Sequence, residues 1–406
     1  MTDATTAAWI RPKLWIGWTT AGVLWATWFG SLAYGGWKRD ADGMLLCADH
    51  IAFYSAATLL REGRPAELYH HPALGEVQQR VTLPDGRWDY FMAYRNPPFY
   101  ALLYVPTAGL PLVGSVLVWM AISFAAIGFA VWCLLPERPW RALGWALGFF
   151  PVFTAITFGQ NTPLSLAVFA AVYRLSADRR PFAAGLAAGL LWYKPQLLIG
   201  LFVWWGLAPR RHLGEWLGVG VTGLVLAAHS WLVIPEASWA FVESLRTNVG
   251  YGGENEWNLH SPRKFWDILL PAAPPALRTG LTLLCAAAAL GGAVWLRVRT
   301  GGPLAVMFPA AVFVTLWVSP HTLIYEWALL VAAAVVLWDR LPARRDTWLT
   351  WFTVAWLGLT VSTTTTLVQK RALDLPVLFQ LSIPVLAIVG YRLFRALGDR
   401  RPVAAT

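Results

Sequence analysis

Charge is what this sequence lacks. Only 13% of its 406 residues are Asp, Glu, Lys or Arg, against about 25% in an ordinary soluble domain. That scarcity excludes a soluble globular chain. Cysteine is nearly absent as well, with Cys47, Cys133 and Cys285 alone. The last two lie inside apolar runs, which argues against a structural disulfide, and none of the three has metal-ligand spacing. His70-His71 is adjacent rather than spaced along one helical face, and no dense acidic cluster accompanies it. Neither a metal nor a cofactor is called for. Repeats of solenoid or propeller length are missing, and Thr363 to Thr366 is the sole low-complexity tract.

What is there is apolar. Hydrophobic residues make up 57% of the chain, 26 of them Trp, and the mean hydropathy is +0.51. Trp and Tyr gather where a membrane meets water. The fold expected is an all-α polytopic membrane protein. A net charge of +10 does not point to nucleic acid, because the basic residues stand in short clusters between apolar runs.

Spanning a bilayer takes roughly 20 apolar residues. Long runs fall at about 14–35, 112–135, 213–234, 273–296, 322–338, 347–367 and 376–396. Shorter ones fall at about 98–110, 142–158, 161–174, 182–193, 196–208 and 303–318. Together they predict about 11–13 transmembrane or partly inserted helices in one domain over 1–406. The first run, after Arg11-Pro12-Lys13, reads as an uncleaved anchor, since it is longer than the h-region of a signal peptide.

Basic clusters at Arg11/Lys13, Arg138/Arg141, Arg174/Arg179/Arg180, Arg210/Arg211, Arg297/Arg299, Arg340/Arg344/Arg345 and Arg392/Arg395/Arg400/Arg401 belong on the cytoplasmic side. Both termini then lie in the cytoplasm of a cell-membrane protein. Two loops, about 36–96 and about 235–266, face outward. The runs flanking Lys194-Pro195 are too short to cross, and Pro97, Pro98, Pro106 and Pro111 favour incomplete crossing at 98–110.

Five polar groups then land on the outer side or at helix breaks open to it: Asp49, Asn96-Pro97-Pro98, Gly159-Gln160-Asn161, Lys194-Pro195 and Ser319-Pro320-His321. Polar residues converging at helix breaks build cavities in membrane proteins. Asp49 stands out most, because a carboxylate at the edge of a span is costly and usually functional. Its plain alternative is a helix N-cap. Asp42 and Asp89 are rival acids in the same loop.

This arrangement resembles the GT-C glycosyltransferases, and more narrowly glycosyltransferase family 87. The resemblance rests on the Asp49–Tyr54–Ala57–Gly63–Tyr69 segment, Tyr94-Arg95-Asn96-Pro97-Pro98, Gly159-Gln160-Asn161, Lys194-Pro195 and Ser319-Pro320-His321, in that order along nearly the whole chain. Many GT-C enzymes carry an acidic pair in the first loop; here His50 follows Asp49. The resemblance implies a GT-C-type bundle performing inverting transfer of a hexose, mannose before others. The donor would be a polyprenyl-phosphate sugar, the acceptor a glycolipid or polysaccharide hydroxyl, the place the extracytoplasmic face.

The roles follow from that chemistry. Asp49 is the expected general base. Lys194, a lone Lys among apolar residues, is expected at the donor phosphate with His321 and Arg95. Gln160, Asn161, Asn96, Tyr54, His260 and Arg263 are candidates for sugar or acceptor contacts, and His260, Arg263 and Lys264 of the later loop also for the donor phosphate or a lipid headgroup. Each has a plain reading too: snorkelling for Lys194, a satisfied structural imidazole for His321, a surface cation for Arg95, backbone satisfaction for Gln160 and Asn161, packing for Tyr54. Two other functions compete: a lipid or sugar transporter or flippase, which also has broken helices and buried charge, and a membrane acyltransferase resting on His321.

Overall fold

The computed structural model describes residues 14–37, 39, 45–82, 91–247, 258–340 and 345–398. Asp42 and Asp89, both terminal segments and the basic residues within them fall outside those stretches.

Among the described residues the chain is a bundle of eighteen α-helices and forms no sheet, only two isolated bridges. It is an all-α polytopic membrane protein. The apolar runs become α1 (Leu14–Tyr34), α4 (Pro98–Leu102), α5 (Leu112–Leu134), α6 (Trp140–Gly148), α7 (Phe150–Thr157), α8 (Thr162–Ala177), α9 (Pro181–Gly189), α10 (Ile199–Gly206), α11 (Leu213–Val233), α14 (Pro275–Thr300), α15 (Leu304–Val318), α16 (Leu330–Arg340), α17 (Arg345–Arg371) and α18 (Ser382–Gly398). The polar loops contribute α2 (His50–Arg61), α3 (His71–Thr82), α12 (Pro235–Thr247) and α13 (Pro262–Leu269).

Among the described residues three helices, α5, α11 and α14, are long and apolar enough to cross a membrane by length and composition. Their surroundings differ. On α11 and α14 large apolar side chains stay exposed, Leu232 at 83% and Val298 at 79%. A helix apolar on all sides with its outer face bare is one that meets lipid. By contrast, α15 is buried from Val306 to Trp317 and forms the bundle's interior.

Proline explains where the runs break. The expected segment 142–158 is two helices, separated at Phe149, whose extended backbone precedes Pro151 in the first turn of α7. The stretch 98–110 holds only the five residues of α4 and a 3-10 turn at Thr107–Gly109, so it forms no continuous helix. Either side of Lys194 the chain tightens into 3-10 turns, Leu190–Tyr193 and Pro195–Leu198. Lys194 itself has φ −138° and ψ 73°, outside any helix.

Small residues let the helices close up where lipid gives no hydrophobic drive for association. On α9 Gly185 and Gly189, and on α11 Gly214 and Gly218, face one another. A Cβ on Gly185 would lie 2.2 Å from the Glu215 carbonyl oxygen, and one on Gly218 would lie 2.3 Å from that of Phe182. Gly200 of α10 is as tight against Ala311 of α15. These contacts fix the hairpin whose apex is Lys194.

Candidate active site

Asp49 sits just before α2, at the N-cap position, yet its side chain makes no capping hydrogen bond. The carboxylate is free of that structural duty. It accepts a 2.6 Å hydrogen bond from Gln160 Nε2 instead, and its backbone N–H donates to the Phe158 carbonyl at 3.0 Å. The Gly-Gln-Asn turn is thus strapped to the start of α2. Gly159 makes the strap fit. Its φ is +73°, and a Cβ there would lie 2.7 Å from His50 Cβ and 2.9 Å from Cys47 Cβ. Only glycine meets both conditions.

Burial pushes the Asp49 carboxyl up to about 6, against the opposing pull of the Gln160 hydrogen bond and the Lys194 charge. A carboxylate with that value is still mainly ionised at neutral pH, and it is a stronger base than an ordinary Asp. His50 cannot share its work. It is wholly buried, pushed down to about 3 by burial, with Nε2 3.0 Å from Ser115 Oγ.

Lys194 is not the lone charge the sequence suggested. Its Nζ donates to Glu326 Oε1 at 3.2 Å, and it lies 5.4 Å from the centre of the Tyr325 ring. The anion that makes a buried lysine tolerable here is part of the protein. Glu326 is 2% exposed, and its other oxygen accepts from Leu323 N at 3.2 Å. Sequence reasoning missed Glu326. The signal was available, as an acid within the apolar run 322–338, but the nearby Ser-Pro-His turn drew the argument away.

A second charged group faces the first. Burial, then the Arg263 and Arg95 charges, lower the His321 imidazole below its ordinary value, so these three side chains are neighbours. Arg95, Arg263 and His321 are all exposed. Tyr325 lies within electrostatic reach of Asp49, Glu326 and Arg95, which joins the two groups into one constellation. One end of the bundle therefore carries a half-buried base with its ion pair, and beside it a solvent-facing cationic rim.

Of the remaining candidates, Asn96, Tyr54 and His260 spend their side-chain hydrogen bonds within the fold, whereas the buried Asn161 amide has no partner among the described residues. Asn96 Nδ2 donates to the Tyr193 carbonyl at 3.0 Å, and Tyr69 donates to the Asn96 carbonyl at 2.7 Å. The Asn-Pro-Pro turn is thereby bolted to the residue before Lys194. Tyr54 is buried and donates to the Leu110 carbonyl at 2.8 Å. Asn161 is wholly buried beneath the turn. His260, expected at the sugar, is fully buried with Nδ1 2.7 Å from Ser382 Oγ and Nε2 3.2 Å from Thr363 Oγ1. With both ring nitrogens engaged, its contribution is to anchor the second loop. That loop clamps the Ser-Pro-His turn: Ser261 Oγ donates to the Pro320 carbonyl at 3.0 Å, and His260 N to the Thr322 carbonyl at 2.8 Å. Among the described residues no three His, Cys, Asp or Glu side chains gather as a metal set.

The chain also matches a sequence family. The model of glycosyltransferase family 87 matches residues 94–320, more than half of the chain. The chain belongs to glycosyltransferase family 87. No curated protein and no solved structure matches it. The matched stretch contains Arg95, Gln160, Lys194 and Arg263, while Asp49, His321 and Glu326 lie beyond it. Membership in family 87 makes the protein a glycosyltransferase, and its apolar helices place that activity in a membrane.

Proposed function

We propose that the protein is an inverting glycosyltransferase that moves a hexose from a polyprenyl-phosphate donor to a lipid or glycan hydroxyl on the extracytoplasmic face. Mannose is favoured, by the family resemblance. The observation that carries the reading is the Asp49 carboxylate, freed from capping, oriented by Gln160 and set beside Lys194.

Asp49 takes the proton of the acceptor hydroxyl as that oxygen bonds to the sugar's anomeric carbon. The bond from that carbon to the phosphate oxygen breaks on the opposite side, inverting the centre. Polyprenyl phosphate leaves with the electron pair. Arg95, Arg263 and His321 suit the leaving phosphate, because they are exposed and cationic or able to donate. Lys194, paired with Glu326, acts as a fixed positive charge that keeps Asp49 ionised and meets phosphate charge as it develops. A positioned base contributes on the order of 10²–10⁴-fold, and preorganised donors at the leaving group a comparable amount.

The test is incubation of membranes carrying the protein with a panel of polyprenyl-phosphate sugars, reading sugar-dependent release of polyprenyl phosphate. Release that Asp49→Asn abolishes is expected. A protein that releases none from any donor is a carrier instead.

A further inference from the structure

A second polar cleft opens beside α13. It holds about 680 Å³, and its wall includes Lys264, Asp267, Arg278, Lys370 and Asp374. α13 borders both regions: its Arg263 neighbours His321, and its Lys264 and Asp267 line the cleft.

The wall is built rather than incidental. Leu378 N donates to the Ile268 carbonyl at 3.0 Å, pinning the α17–α18 connection to α13. Gln369 pairs with both backbone groups of Phe379 at 2.8 and 3.1 Å. Arg278 reaches across to Asp267 at 3.3 Å through one terminal nitrogen. Its Nε is buried and, among the described residues, hydrogen-bonds to nothing.

The basic residues here, like Arg95 and Arg263 nearby, stand away from the main basic clusters. α14 carries Arg297 and Arg299 at its other end and α17 begins at Arg345, as the cytoplasmic bias of basic residues requires. Lys264, Arg278 and Lys370 stand at the opposite end, at the depth where α14 and α17 leave the apolar layer. Clustered Lys and Arg at a membrane surface attract anionic lipid headgroups. Arg278 lines the cleft, and its buried Nε has no acceptor among the described residues.

We infer that this cleft binds the phosphate group of an anionic membrane lipid, with Lys264, Arg278 and Lys370 around the phosphate and Asp374 accepting from headgroup hydroxyls. The site is separate from the transfer reaction and does not depend on it.

The experiment uses the purified full chain in neutral detergent, titrated with short-chain phosphatidylglycerol, short-chain phosphatidylcholine or inorganic phosphate by calorimetry. Phosphatidylglycerol is expected to bind at least tenfold tighter than phosphatidylcholine. Each cation removed costs on the order of 1 kcal/mol, so Lys264→Gln with Lys370→Gln weakens it by roughly tenfold or more. Both side chains are at least partly exposed, and Arg278 keeps its ion pair, so the double variant folds. Competition by millimolar inorganic phosphate supports the phosphate chemistry, whereas inorganic phosphate binding tighter than phosphatidylglycerol makes the free anion the ligand and overturns the lipid. Equal binding of the two lipids, or unchanged affinity in the double variant, overturns the inference. Asp49→Asn binds phosphatidylglycerol like wild type, so a failed transfer assay leaves this result standing.

Discussion

Gln160 donates a 2.6 Å hydrogen bond to Asp49 across 111 residues of chain, and that carboxylate does no capping for its own helix. Burial disfavours the charged form of this acid and outweighs the help it receives from Gln160 and Lys194. Its folded-state value, about 6, lies above the ordinary 3.8, so the charge penalises folding above pH 6 and the penalty fades below pH 4. Asp49→Asn removes it. The variant is expected to lose transfer by 10² or more and to gain stability, on the order of 2 kcal/mol at neutral pH. Thermal unfolding alongside the release assay checks both; an inactive variant that also unfolds earlier refutes the base assignment.

The pH profile follows from the same group. Transfer needs Asp49 ionised, so kcat/KM falls with unit slope as pH drops through about 6. Gln160 and Lys194 both hold the carboxyl down. Gln160→Leu and Lys194→Met therefore move the acid limb to higher pH. Profiles of the two variants that superimpose on wild type break the link.

Gly159→Ala joins strain to collision, since φ is +73° and His50 Cβ lies 2.7 Å from the added methyl. Positive φ costs a non-glycine residue about 1 kcal/mol, and the clash with a helix-borne Cβ adds to it. Destabilisation of roughly 2 kcal/mol or more is expected, with transfer falling because Asp49 and Gln160 part. Denaturant titration read beside initial rates is the check.

Removing Glu326 strands Lys194 in a site where the pair is 2% and 13% exposed. Glu326→Ala is expected to destabilise by about 3–5 kcal/mol, whereas the double change Lys194→Met, Glu326→Leu recovers most of that stability. Transfer stays low in both. A double variant that regains activity would show that the pair serves the fold alone.

The large-scale order of this chain is legible because lipid is an unforgiving solvent. Apolar runs, basic clusters and the polar breaks between them mark the helices. Asp49, Gln160 and Lys194 show up as polar residues with no cheap reason to be there. The miss at Glu326 and the unforeseen hydrogen bonds of His260 share one cause. Composition shows that a polar group is buried, whereas its partner comes from a distant part of the chain: Lys194 is 132 residues from Glu326, and Thr363 is 103 residues from His260. The division of 142–158 into α6 and α7 was hidden for a milder reason. Pro151 was visible, but a proline in a first turn starts a helix as readily as it ends one.

The glycine seam between α9 and α11 has a consequence for how this enzyme tolerates mutation. Nothing reacts there, and the residues have no side chains to recognise anything. Yet adding a single methyl at Gly185 or Gly218 meets backbone at 2.2 or 2.3 Å, and backbone cannot swing aside. The hairpin bearing Lys194 at its apex would ride outward with the displaced helix. In genetic terms the seam is a silent target. Variation there would read as loss of catalysis although every reacting group is intact.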